Sequence, residues 1–249
     1  MLKDFTREKF DVIIQAGQSN SEGSGYGDAD SPYVPDSDIW YLKADGTICV
    51  ASEMVEGNMI RGDYSLSFAE EYKKNGRLAG GRKILIVRAS VGATGFSDNR
   101  WKREGDLYQN MLAMVKTALS LNPQNHAVAF LWHQGETDAL LNASQERHFR
   151  HLKDLLEGVR GAIGNLRLPV VMGDFVPQWR KAFASRSEPV EAAMRCACKE
   201  FPPAAFVETD GLLSNAQKNG SDDIIHFCRD SLNKLGKRYF AAFAELVRR

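Results

Sequence analysis

Five short apolar runs, separated by helix-length amphipathic stretches, constrain this chain more than any other feature of its sequence. The runs lie at residues 10–16, 83–89, 127–133, 169–175 and 204–208, and the helical stretches at 65–74, 106–121, 144–163, 188–200 and 232–247. Continuous apolar runs of this length suit strands buried on both faces. Strands that alternate with helices predict an α/β fold, a three-layer α/β/α sandwich around a central parallel sheet of about five strands. The 249 residues are 43% hydrophobic, enough for a sizeable core, and no linker composition divides them, so residues 1–249 read as one domain. Residues 21–38, with three glycines, two prolines and five acidic residues, and residues 45–63, around Met54 and Met59, read as loops.

Charge removes several functions. Lys plus Arg and Asp plus Glu both total 32, so no net field draws in nucleic acid or an anionic membrane. The short basic pair Arg180 and Lys181, beside Trp179, reads as a solvated helix start. Cys49, Cys196, Cys198 and Cys228 lack the spacing of a zinc or redox motif and read as reduced thiols. No apolar run of about 18 residues is present, and the first nine residues do not resemble a signal peptide. The expectation is a cytoplasmic protein whose partner is a small-molecule or oligosaccharide ester.

In an open α/β sheet ligands bind beyond the carboxyl ends of the strands, so the polar clusters that end the apolar runs are the informative places. Four stand out: Gly17-Gln18-Ser19-Asn20, the segment Ser90 to Gly95, Trp132 to Asp138, and Asp174 with its neighbours. Ser19 directly follows a buried strand, where a hydroxyl stands at the sheet edge. The second glycine of a Gly-x-Ser-x-Gly elbow is missing, and an isolated serine there is more often a turn or helix cap.

A serine hydroxyl becomes a nucleophile only with a base in reach, and the chain holds five histidines. His148 and His151 lie in a charged helical stretch and read as solvated, and His126 sits in a turn before a strand. His133 and His226 remain. Asp223 precedes His226 by three residues, a spacing that lets its carboxylate accept the Nδ1 proton and leave Nε2 for the serine. An isolated Asp-x-x-His is more often a turn cap beside a surface histidine. For a developing oxyanion, the backbone amides of Ser19 and Gly92 are candidate donors, with the Gln134 side chain as a third.

Together these segments resemble the SGNH-hydrolase superfamily, and within it the sialate O-acetylesterase and acetylxylan-esterase-like group of carbohydrate esterases. The resemblance rests on Gly17-Gln18-Ser19-Asn20, on Trp132-His133-Gln134-Gly135-Glu136-Thr137-Asp138 and on Asp223-Ile224-Ile225-His226-Phe227. It implies a flavodoxin-like sandwich, Ser19 as nucleophile, His226 as base, Asp223 as its orienting carboxylate, and an oxyanion hole of Ser19, Gly92 and Gln134. It also implies Glu136 as a second acid in competition with Asp223. The group usually reads Gly-Gly-Thr where this chain has Gly92-Ala93-Thr94. The implied reaction is release of a small acyl group, acetyl above all, from a sugar hydroxyl, with no cofactor.

Other readings stay open at this point. Asn20 and Trp101 are candidate substrate contacts, although Trp101 is equally an ordinary core aromatic. Glu136 and Asp138 also suit the start of a helix. His133 and Glu136 have metal-ligand spacing, but no third ligand is evident. The rival functions are a carbohydrate-binding protein that has lost catalysis, a lipid or thioester acyl hydrolase, and a flavodoxin-like nucleotide binder, for which Gly17-Gln18-Ser19-Asn20 has too few glycines to cradle phosphate.

Overall fold

The computed structural model describes residues 4–248. After a single 3₁₀ turn, the chain runs through β1 (Phe10–Gly17), α1 (Ser19–Glu22), β2 (Gly25–Tyr26), β3 (Ile39–Leu42), β4 (Ile48–Val50), β5 (Met54–Glu56) and β6 (Met59–Gly62). It continues through α2 (Tyr64–Lys74), β7 (Lys83–Arg88), α3 (Asp106–Ser120), β8 (His126–His133), α4 (Glu136–Leu140), α5 (Gln145–Ile163) and β9 (Val170–Gly173). The last elements are α6 (Pro177–Ala182), α7 (Ala184–Glu200), β10 (Ala204–Val207), α8 (Asn215–Asn219) and α9 (Arg229–Leu246).

The main sheet has seven strands in the order β10-β9-β8-β1-β7-β3-β4. All five expected strands are present and parallel, and the sheet exceeds the expected count by β3, which is parallel to β7, and β4, which is antiparallel to β3. The edge strand β4 is three residues long and partly exposed. Strand β3 lies between β7 and β4 and is largely buried, but it spans only Ile39–Leu42. Runs this short do not stand out between two irregular stretches. Their turn does carry a signal, because Asp45-Gly46 joins them with Gly46 at φ +82°. The stretch expected as a loop at 45–63 is therefore largely strand. It holds β4 and the β5–β6 hairpin, and the hairpin joins β2 in a small antiparallel sheet of order β2-β6-β5.

Helices α2 and α9 pack on each other, and α3, α5 and α7 pack in series as a second group; the two groups flank the sheet. Buried apolar side chains form one cluster running through β1, β7, β8 and the inward stripes of these helices. Helix α5 corrects an expectation. Its buried positions Leu152, Leu155, Leu156 and Val159 continue back to His148, which is fully buried rather than solvated. His151 is half-buried, its ring 5.4 Å from that of Phe96. Arg180 is not at a solvated helix start either: it lies in the last turn of α6 and pairs with Asp174 and Asp210. Among the described residues no helix is long and apolar enough to cross a membrane.

The chain enters the sheet at β1, moves to one side for β3 and β7, and returns to the other side for β8 to β10. Such a reversal opens a crevice at the carboxyl end of the central strand. Three strand ends are closely joined there: the Gln18 amide donates to the His133 carbonyl at 3.0 Å and the Val91 amide to the Gly17 carbonyl at 3.1 Å. Gly17 allows this approach, since it has φ +136° and a Cβ on it would lie 2.0 Å from the His133 oxygen. Gly17→Ala is expected to lower stability by about 3 kcal/mol or more, read as the shift in the urea unfolding midpoint.

Candidate active site

Beyond Gly17 the chain turns into α1, which places Ser19 at its first position with its side chain at the sheet edge. The Ser19 hydroxyl lies 2.9 Å from His226 Nε2, across 207 positions of sequence. His226 Nδ1 in turn faces both oxygens of Asp223, at 3.0 and 2.9 Å. A carboxylate can only accept, so it fixes the imidazole proton on Nδ1 and leaves Nε2 free to accept from the serine. Burial opposes ionisation of Asp223, but the hydrogen bonds from His226 and Asn215 outweigh it and hold the carboxyl below its usual range.

The segment carrying Asp223 and His226 is pinned to α8. The Ala216 amide donates to the Asp223 carbonyl at 2.8 Å and the Asn215 amide to the His226 carbonyl at 2.9 Å. Asn215 also gives its side-chain NH₂ to Asp223 Oδ2 at 2.8 Å and to the Ser24 carbonyl at 3.0 Å, while its Oδ1 accepts from the Tyr26 amide. One asparagine thus ties the Asp223–His226 turn to the strand that follows α1.

The opposite wall is the turn after β7. Gly92 packs against Ser19, and a Cβ on Gly92 would lie 3.6 Å from the Ser19 Cβ. Its amide donates to Glu22 Oε2 at 2.8 Å. Ala93, where the resembling group carries a second glycine, keeps a positive φ of 56°. An L-residue there costs about 1 kcal/mol or more, so the turn is held against a local preference. Gln18, Ser19, Glu22, Gly92, Thr137 and His226 are among the residues lining a cleft of about 340 Å³.

The segment from His133 to Asp138 supports this wall from beneath. Gln134 is buried and its amide nitrogen lies near Asp138 Oδ2 at 2.8 Å, the Thr94 carbonyl at 3.2 Å and Gln18 Oε1 at 3.3 Å. Its donors are occupied, so Gln134 braces the turn instead of offering the expected donor to the cleft. Asp138 also accepts from the Phe96 and Ser97 amides and the Ser97 hydroxyl, which fixes residues 94–97 against α4.

Glu136 and Asn20 also stand differently from expectation. Both are fully buried. Asn20 gives its NH₂ to Glu136 Oε1 at 2.7 Å and to the Ile225 carbonyl at 3.0 Å, and accepts the Phe227 amide at 3.0 Å. It holds the His226 segment from behind and is no substrate contact. Glu136 bonds Asn20 and not the imidazole, and burial pushes its carboxyl above the usual range.

Trp101 is a core side chain, not a sugar platform. It is fully buried, packs edge-on against Trp132 at 5.1 Å and gives its indole NH to Thr94 Oγ1 at 2.9 Å. His133 is buried too, and burial pulls it down to about 3, so it stays neutral. Its Nδ1 donates to the Tyr239 hydroxyl, which donates onward to the Trp132 carbonyl. Asp174, the remaining strand-end candidate, is turned onto Arg180 and the Phe175 amide, away from the cleft-lining set.

Two participants went unread in the sequence. Glu22 stands one helical turn after Ser19, a spacing that puts both on one face of α1. Asn215 follows Ser214, whose capping box with Gln217 marks the start of α8 just before Asp223.

Known proteins resemble this chain in sequence and in fold. A probable 9-O-acetyl-N-acetylneuraminic acid deacetylase of Escherichia coli (strain K12) is 30% identical over 98 residues, a match spanning 36% of this chain and 30% of that relative's length. The crystal structure of NanS shares the fold with a TM-score of 0.80 at 18% identity, covering 97% of this chain and 98% of that one. A protein from Arabidopsis thaliana superposes with a TM-score of 0.75 at 20% identity, covering 94% and 98%. The family model for carbohydrate esterases described as sialic acid-specific acetylesterases matches residues 9–245, and the chain belongs to that family.

Proposed function

We propose that the protein is a serine esterase that releases acetyl groups from sugar hydroxyls by two-step acyl transfer. The observation that carries this reading is the unbroken hydrogen-bonded series Asp223–His226–Ser19 at the wall of a cleft that also contains the Gly92 amide. Ser19 Oγ attacks the ester carbonyl while His226 Nε2 takes its proton, and the imidazolium then protonates the departing sugar oxygen. Water activated by the same nitrogen releases acetate and restores Ser19. Asp223 keeps the imidazole oriented and offsets its transient charge. The Ser19 and Gly92 amides are the donors for the oxyanion, each worth about 3–4 kcal/mol in the transition state.

The cleft is small, about 340 Å³, with Ala93, Leu140 and Ile225 lining it beside Ser19 and His226, which favours a small acyl group over a long lipid chain. The intact series from Asp223 to Ser19 favours catalysis over binding alone. Since the Escherichia coli relative is named for 9-O-acetyl-N-acetylneuraminic acid, that sugar is the first substrate to compare with acetylated xylo-oligosaccharides and bacterial wall glycans.

Hydrolysis of p-nitrophenyl acetate is expected to fall about 10⁴-fold or more in Ser19→Ala, and equal rates for the two proteins would remove the proposal. For the acid, Asp223→Asn is expected to lose about 10³–10⁴-fold in kcat and Glu136→Gln less than about ten-fold. The reverse order would transfer the role to Glu136.

A further inference from the structure

The amide that the proposed chemistry needs for its oxyanion is already occupied by a side chain of the protein. Glu22 Oε2 accepts from the Gly92 amide at 2.8 Å, and Glu22 lines the same cleft as Ser19 and His226. The carboxylate lies directly over Gly92, where an added Cβ would meet it at 2.9 Å. It is half-buried, and its backbone carbonyl is held by the Arg88 guanidinium, so the end of α1 is fixed while the side chain reaches into the cleft. A carboxylate on this amide is chemically the same object as the acetate that ester hydrolysis releases.

We propose that Glu22 is an internal carboxylate guard of the Gly92 amide, occupying it in the resting protein and thereby excluding acetate and other free carboxylates from the cleft. The inference rests on the esterase reading for the identity of the excluded product. The discrimination follows from charge. A neutral ester entering the cleft exchanges one hydrogen-bond acceptor for another at Gly92. An incoming carboxylate must make the same exchange and also sit beside the displaced negative Glu22, within a few ångströms and partly out of water, where like charges repel strongly. Ester binding is therefore tolerated and carboxylate binding penalised, whereas the tetrahedral oxyanion is compensated because His226 takes up the Ser19 proton as it forms, so product accumulating around the enzyme blocks it less.

The test is acetate titration of the isotope-labelled full chain, followed at the Gly92 amide by NMR, for wild type, Glu22→Gln and Glu22→Ala. The glutamine keeps the size and the acceptor but removes the charge, and the alanine removes both. Each variant is expected to bind acetate at least ten-fold more tightly than wild type, and the inhibition constant of acetate against p-nitrophenyl acetate hydrolysis should fall by the same factor. Thermal unfolding of the glutamine variant close to that of wild type establishes that it is folded, and it alone suffices for the comparison if the alanine variant is not. Acetate affinities equal to wild type in the folded variants would overturn the inference, as would acetate-induced shifts located away from Gly92. The titration does not need turnover, so failure of the esterase reading would appear separately, as a wild type no faster than Ser19→Ala.

Discussion

One buried amide side chain joins the three segments on which the site depends. Asn20 follows Ser19, bonds Glu136 in the segment after β8, and bonds both the Ile225 carbonyl and the Phe227 amide on either side of His226. Without it, a buried carboxyl and a buried backbone N–H would lose partners at once, at roughly 1–3 kcal/mol for each group left unpaired. The 2.9 Å approach of His226 to Ser19 is thus set by a fully buried residue next to the serine. Its strength comes from being out of water, since solvent cannot compete for its bonds.

Charges around the site follow a consistent division. Asp223, half-buried and supplied with donors, is held as a carboxylate, whereas Glu136, fully buried with one amide partner, is pushed towards its neutral form. Two acids near one imidazole therefore do different work because their surroundings differ. His133 stays neutral in the same way, since burial withholds the solvation that a proton would require.

The sheet and its helices were legible because they rest on local signals, apolar runs and amphipathic stretches, whereas Ser19, Asp223 and His226 were each ambiguous alone and were singled out by the joint resemblance of their segments to a known family. Strands β3 and β4 were not legible, because their apolar runs are only four and three residues long and lie between irregular stretches, although the Asp45-Gly46 turn marks their hairpin. The side chains misread or left open were those whose burial depends on tertiary contact. Asn20, Gln134 and Trp101 carry groups that suit a ligand equally well, and only packing decides that they face the protein interior. His148 looked solvated because its neighbours in sequence are charged, yet it falls on the inward stripe of α5. Glu22 was hidden for the opposite reason, since it lay among acidic residues of a segment read as loop.

The small antiparallel sheet is fastened to the body by a two-pronged contact from Arg229, at the start of α9, to Glu53, with both side chains almost wholly out of solvent. The same arginine reaches the Gly27 carbonyl, and α9 begins directly after the turn that carries His226. The small sheet and the His226 turn are therefore anchored at a single bolt. A small sheet transplanted from a relative would have to bring the partner of Arg229 with it, or leave a buried guanidinium unpaired. Change in the β5–β6 hairpin is thereby bound to the alignment of Asp223, His226 and Ser19 and cannot proceed as a free exchange of loops.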